Sequence, residues 1–271
     1  PWAGISRTNW ILTNIDKSPK ISDAKKTQYK GEAHFLRGLY YFNLVRLFGD
    51  VPWIDKQQTA SDDLQVSRTS KDIVYQHIID DFSDAASMLP AVYENTTDIG
   101  RATKGAAFGL LAKVYLTLKR YNETLVAIDS VMNLGVYSLN RKYEWNFSDL
   151  RENGPESLFE VQYEKDVTAY SEFDILGQGG WHHEYMAPLA SINIGGPWGN
   201  FGWFAVYPEF VESYEPGDLR KSVSVWCEGD VYQGWSYDPT CSQTGYNVKK
   251  FLCENICLLY TSDAADDRIS V

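Results

Sequence analysis

The 271-residue chain is 44% hydrophobic and 23% charged, an ordinary globular balance with enough length for one large domain or two smaller ones. Its formal charge of −11 is spread along the sequence without a basic patch, which argues against nucleic acid and against electrostatic docking on anionic lipid. No apolar run approaches the roughly 18 residues of a membrane span, and the opening "PWAGISRTNWIL" lacks the charged leader and apolar block of a signal peptide. The chain does not open on Met, so the expectation is a fragment that starts inside a longer protein.

Residues 3–16, "AGISRTNWILTNID", predict a short amphipathic helix with Ile5, Trp10, Ile11 and Leu12 apolar. Ser22 then caps a long helix from about 23 to 48, which stops at Gly49 before Pro52. On a helical wheel Ala33, Leu36, Tyr40, Leu44 and Leu47 fall in one stripe, and Phe35, Leu39 and Phe42 lie opposite. A helix apolar on two faces must be covered on two faces, which a stacked array of helical hairpins provides. Arg37 lies on the first stripe. A charge there should be buried and paired with a carboxylate, because an unpaired buried charge is very costly.

A further helix is expected from about Ser70 to Leu89, with Ile73, Val74, His77, Ile78, Phe82, Ala85 and Leu89 at a 3.6 period and Pro90 as its stop. After a polar loop over 93–103, residues 104–135 read as a helical hairpin. Its Phe108, Leu111, Ala112, Tyr115, Tyr121 and Ile128 resemble tetratricopeptide spacing, with Thr124 where Ala is usual. Beyond Tyr137 the helical period is lost. A strand is expected at 157–163, a Gly- and aromatic-rich irregular stretch at about 165–206, a helix over 206–223 with Pro208 in its first turn and a Pro-Gly stop, and a strand at 222–226.

The fold class is therefore mainly α, with tetratricopeptide-like helical hairpins, an irregular loop-rich segment and a few short strands. The expected domains are a helical scaffold over 1–140 and a loop-rich ligand-binding segment over 141–256 with one helix near 207–216. Residues 257–271, including "CLLYTSDAADD", resemble read-through of a sequencing-library adaptor and are set aside as a non-native tail. Cys227, Cys241, Cys253 and Cys257 are spaced 14, 12 and 4 apart, which matches no zinc pattern. Cys227 with Cys241 or Cys253 could close a disulfide loop in an exported protein.

The stretch "EAHFLRGLYYFNLVRLFGDVPWI" (32–54) resembles the signature of the SusD/RagB family, glycan-binding lipoproteins of the outer surface of Bacteroidetes-type bacteria. Glu32-Ala33-x-Phe35-Leu36-Arg37 is followed by Tyr41-Phe42 and then Leu47-Phe48-Gly49-Asp50-Val51-Pro52. Four later blocks, "GRATKGAAFGLLAKVYLTLKRY", "YSLN", "ESLFEVQY" and "FVESYEPGDLRKSVSV", resemble the family's in the same order, so the resemblance covers nearly all of residues 5–226. It implies a cell-surface glycan-binding protein at the outer membrane that hands its cargo to a TonB-dependent transporter. No cofactor is implied, and the lipid anchor would be an N-terminal Cys that this sequence does not contain.

Thirteen aromatic residues fall between Trp181 and Tyr237. Flat rings complement the C–H face of a sugar, and Asn, Gln, Asp or Arg complement its hydroxyl rim. The family resemblance puts a sugar-binding aromatic arc just before the "PEFVESYEPGDLR" helix, which places Trp203 in the arc and Trp181 where another member would sit. Trp198, Tyr185 and Asn200 join them as candidates by proximity. A further arc residue of relatives would lie upstream of Pro1. His182-His183-Glu184 is a poor metal site, because adjacent side chains diverge on any regular element. Trp53 is assigned to scaffold packing. No phosphate-cradling loop and no nucleophile elbow is present, and no carboxylate pair is singled out, so a glycoside hydrolase ranks behind two binding readings. The first is glycan capture; the second is a transporter-docking lid for non-sugar, peptide cargo with no glycan site in this chain.

Overall fold

The computed structural model describes residues 1–62, 65–148, 151–162, 202–232, 234–250 and 252. Its described residues divide into two compact units, Pro1–Ser138 with Ser157–Phe159, and Leu139–Glu156 with those from Glu160 to Leu252. Residues 257–271 and Cys253 lie outside the described residues.

The first unit is five helices, each packed on the next in the chain: α1 Trp2–Asn14, α2 Asp23–Phe48, α3 Lys71–Met88, α4 Lys104–Thr117 and α5 Tyr121–Met132. Helix α2 begins where the Ser22 hydroxyl accepts from the Lys25 amide, at 3.4 Å. It ends at Gly49, whose φ of +68° is open to glycine and costly to other residues. The two expected apolar faces meet different neighbours. Tyr40 closes over Gly4 of α1, whereas Phe35, Gly38 and Phe42 face Phe82 and Tyr75 of α3. A Cβ on Gly38 would lie 3.0 Å from the Phe82 ring, so this glycine sets how closely α2 and α3 approach. Phe35, Phe42 and Phe82 are fully buried, and each contributes about 1.5–3 kcal/mol through burial.

Arg37 is buried as expected, and its partner is Asp81 of α3. Trp53 packs on the scaffold, with its ring 4.2 Å from that of Tyr41 and stacked on His77 at 4.4 Å. Helix α4 starts at Thr103, whose hydroxyl accepts from the Ala106 amide and also meets the Tyr137 hydroxyl at 2.9 Å. Thr124, at the expected alanine position, is buried with its hydroxyl donating to the Arg120 carbonyl.

Several expected details differ. Leu47 and Phe48 are exposed. Ile73, Tyr121 and Ile128 are likewise exposed: α5 buries only Thr124, Ala127 and Val131 against α4. Residues 157–162 form no strand. Leu158 and Phe159 join the helical core instead, Phe159 lying 4.9 Å from Phe35, so apolar burial prevails over strand pairing.

In the second unit, the expected single helix over 206–223 is two short ones, α6 Pro208–Glu212 and α7 Leu219–Ser224. Gly217, at φ +87°, turns the chain between them. Asp218 caps α7 by accepting from the Arg220 amide at 2.9 Å, which draws 222–224 into helix, so strand β1 is Val225–Cys227. β1 pairs antiparallel with β4 (Tyr246–Val248), Trp226 opposite Asn247, and β2 (Val231–Tyr232) pairs antiparallel with β3 (Trp235–Ser236). Trp226, Tyr237 and Leu252, with Tyr232 against them, form the small core of this unit. The Tyr237 hydroxyl donates to Asn247 at 2.8 Å. Cys227 and Cys241 are free thiols, so no disulfide joins these two. No helix among the described residues is long and apolar enough to cross a membrane.

Candidate functional site

The segment just before α6 carries a row of outward-facing rings. Gly202, at φ +61°, turns the chain into an extended stretch. That stretch is pinned to the sheet by a bridge between Ala205 and Asn247 and by the Val206 amide donating to the Tyr246 carbonyl at 3.1 Å. With Ala205 and Val206 held against β4, Trp203 is 66% exposed and Phe204 is also exposed. Tyr207 is 72% exposed at the N-cap of α6, where Pro208 supplies a preset φ for the first turn. One turn on, Phe210 is 54% exposed, its ring meeting that of Tyr214 edge-on at 5.4 Å, while Val211 turns inward and is buried.

The rings of this unit therefore divide into two populations. Trp226 and Tyr237 are buried as core, and Trp203, Phe204, Tyr207 and Phe210 reach solvent. Large apolar groups in a contiguous exposed row mark an interaction surface more often than a packing accident. Beside them Asp218 and Arg220 form a close pair, with guanidinium-to-carboxylate contacts of 2.6, 2.9 and 3.0 Å. The Arg220 side chain, and then its amide, hold the Asp218 carboxyl below the usual carboxylate range, and Asp218 in turn raises Arg220.

Of the residues singled out from the sequence, Trp203 is placed on this surface. Trp181, Trp198, Tyr185, Asn200 and the His182-His183-Glu184 run lie outside the described residues. Among the described residues no group of His, Cys, Asp and Glu is arranged to hold a metal. The sequence reading passed over Tyr207 and Phe210. Their signal was a pair of aromatic residues flanking Pro208 at the start of α6, with Val211 apolar beside them.

Residues 1–116 match the family model SusD-like_3, described as starch-binding associating with outer membrane. A SusD-like protein of Bacteroides ovatus is 26% identical over 265 residues, covering 89% of this chain and 46% of that protein. The crystal structure of a SusD superfamily protein from Parabacteroides distasonis superposes with a TM-score of 0.77 at 26% identity, over all of this chain and 57% of that one. The chain is similar to proteins of the SusD/RagB family. Surface glycan-binding protein A from Bacteroides thetaiotaomicron, solved in complex with laminarihexaose, has a similar fold. Its TM-score is 0.75 at 22% identity, over 92% of this chain and 55% of that one. This SusD-like chain thus spans about half the length of these relatives.

Proposed function

We propose that this SusD-like chain binds a glycan at the outer surface of the outer membrane, through the exposed rings at Trp203, Tyr207 and Phe210. The observation that carries the reading is the outward row of aromatics on a segment pinned to a sheet, in a chain whose family model is described as starch-binding. A pinned backbone loses little freedom on binding, so the segment can offer flat faces to a sugar at low ordering cost. Trp181, Trp198, Tyr185 and Asn200 belong to the same proposal as further candidate contacts. Delivery of the captured glycan to a TonB-dependent transporter is the role that fits this family likeness, and binding without catalysis is the activity assigned to this chain.

Affinity electrophoresis of the chain against soluble starch, laminarin, xylan and mannan tests the reading. Retardation by at least one polysaccharide, reduced in Trp203→Ala with the helical circular dichroism unchanged, is the expected result. A folded chain that none of these polysaccharides retards would overturn it in favour of the docking-lid reading.

A further inference from the structure

Phe210 also forms a wall of a second feature, a pocket of about 390 Å³. That volume lies in the range of small-ligand sites, roughly 300–1,000 Å³. Tyr143, Phe210 and Tyr214 supply rings, and Glu215, Asp218 and Arg220 supply polar groups. The ring planes are fixed by edge contacts, Tyr143 on Phe147 at 5.1 Å and Phe210 on Tyr214 at 5.4 Å. The phenols of Tyr143 and Tyr214 lie close enough to Arg220 for each to act on its charge. A 3-10 turn at Tyr143–Phe147 and the α6–α7 corner, some 70 positions apart in sequence, thus converge on one cleft.

We infer that this pocket is a second sugar subsite adjoining the Trp203 row through Phe210, selective for an uncharged pyranose; the inference rests on the glycan reading above. The charge balance decides the selectivity. Arg220 is occupied by Asp218 through its Nε and Nη2, so its positive charge is met inside the site, and Glu215 adds a further negative charge. A uronate or sulfated sugar therefore meets a cleft whose described lining is net negative, with Arg220 already engaged by Asp218. An uncharged ring meets three aromatic walls for its C–H face. For its hydroxyls it finds two phenols, a carboxylate and the outer Nη1 of Arg220.

Calorimetry on the full chain with laminarihexaose, maltohexaose, xylohexaose and mannohexaose, with hexagalacturonate as the anionic probe, tests this. The tightest neutral probe should bind at least tenfold more tightly than hexagalacturonate. Tyr214→Ala should weaken it about fivefold or more, and Glu215→Gln two- to threefold with Tm unchanged. Trp203→Ala should leave residual binding that Trp203→Ala/Tyr214→Ala removes. If Tyr214→Ala does not fold, Tyr214→Phe together with Glu215→Gln decides the case, since both keep the ring packing. Unchanged Kd in these variants, beside a loss in Trp203→Ala, overturns the pocket while leaving the glycan reading standing. Hexagalacturonate binding that Arg220→Gln abolishes overturns the neutral selectivity. No binding of any hexasaccharide by the folded wild type overturns both.

Discussion

Arg37 of α2 and Asp81 of α3, 44 positions apart, are joined by two hydrogen bonds, Nε to Oδ2 at 2.9 Å and Nη2 to Oδ1 at 2.7 Å. The remaining capacity of each is also used. Nη1 of Arg37 donates to Asn9 of α1 and to the Asp55 carbonyl, and Asp81 Oδ1 lies 2.7 Å from Nδ1 of His34. One guanidinium thus ties three helices and the loop after α2, under the ring of Trp53 at 5.4 Å.

Asp81→Asn removes the charge that compensates a guanidinium only 7% exposed. The expected loss is about 3–5 kcal/mol of unfolding free energy, because the remaining cation is buried without its partner. Urea denaturation followed by circular dichroism measures it. The double variant Arg37→Met/Asp81→Leu should lose less than the sum of Arg37→Met and Asp81→Leu, and additive losses would argue that the pair is not coupled.

The Tyr41 hydroxyl, fully buried, accepts from the Ile54 amide at 2.7 Å and faces the Ile54 carbonyl at 3.3 Å. Burial pushes its pKa up to about 12. The unfolded phenol ionises near its ordinary value of about 10 and the folded one does not, so the unfolded state binds fewer protons in that window. Stability contributed by Tyr41 is whole below pH 10 and is lost between pH 10 and 12, at about 1.4 kcal/mol per pH unit. Tyr41→Phe is expected to be less stable at pH 7, with the Ile54 amide unpaired, and to show a shallower alkaline decline. Denaturation midpoints at pH 8 to 11 check both signs.

Gly105 opens α4 directly beneath the Tyr137 ring, and a Cβ there would overlap that ring. Alanine ordinarily favours a helix over glycine by about 1 kcal/mol. Here Gly105→Ala should instead destabilise, by about 1–3 kcal/mol, because Tyr137 must leave its packing place and its contact with the capping Thr103. Thermal unfolding of Gly105→Ala beside Tyr137→Ala separates the terms. A Gly105→Ala chain as stable as the parent would show that the ring moves freely.

Trp203→Ala and Tyr207→Ala remove rings that face solvent. Each should reduce affinity for a bound neutral glycan about two- to tenfold, the worth of one ring contact at about 0.5–1.5 kcal/mol, with Tm little changed. Trp226→Ala, in the small core, is the contrast: it should unfold its unit, and any affinity loss should follow fold rather than contact.

The scaffold was legible because its signals are local. Ser22, Gly49 and Pro90 punctuate helices within one turn, and a 3.6 period in 71–88 needs no distant partner to be read. The two-faced pattern of α2 also implied its two neighbours, and the cost of a lone buried charge implied a carboxylate for Arg37. Which carboxylate was not legible: Asp81 lies on another helix among many acidic residues, and only packing selects it.

The second unit was less legible, since its order comes from distant pairings. Ala205 finds Asn247, and the β1–β4 ladder joins residues about twenty positions apart. Composition could say that rings cluster before α6. It could not divide them into the buried Trp226 and Tyr237 and the exposed Trp203, Tyr207 and Phe210, because aromatic residues serve core and sugar surface with the same chemistry.

Sequence alone determined the helical scaffold, the Ser22 cap and the stretch in which aromatic residues cluster, because each follows from short-range periodicity or local composition. Tertiary structure decided the partner of Arg37, the exposure of each ring and the meeting of Tyr143 with Tyr214 and Arg220 around one pocket. Burial and charge compensation are properties of neighbours in space, and the chain order does not specify those neighbours.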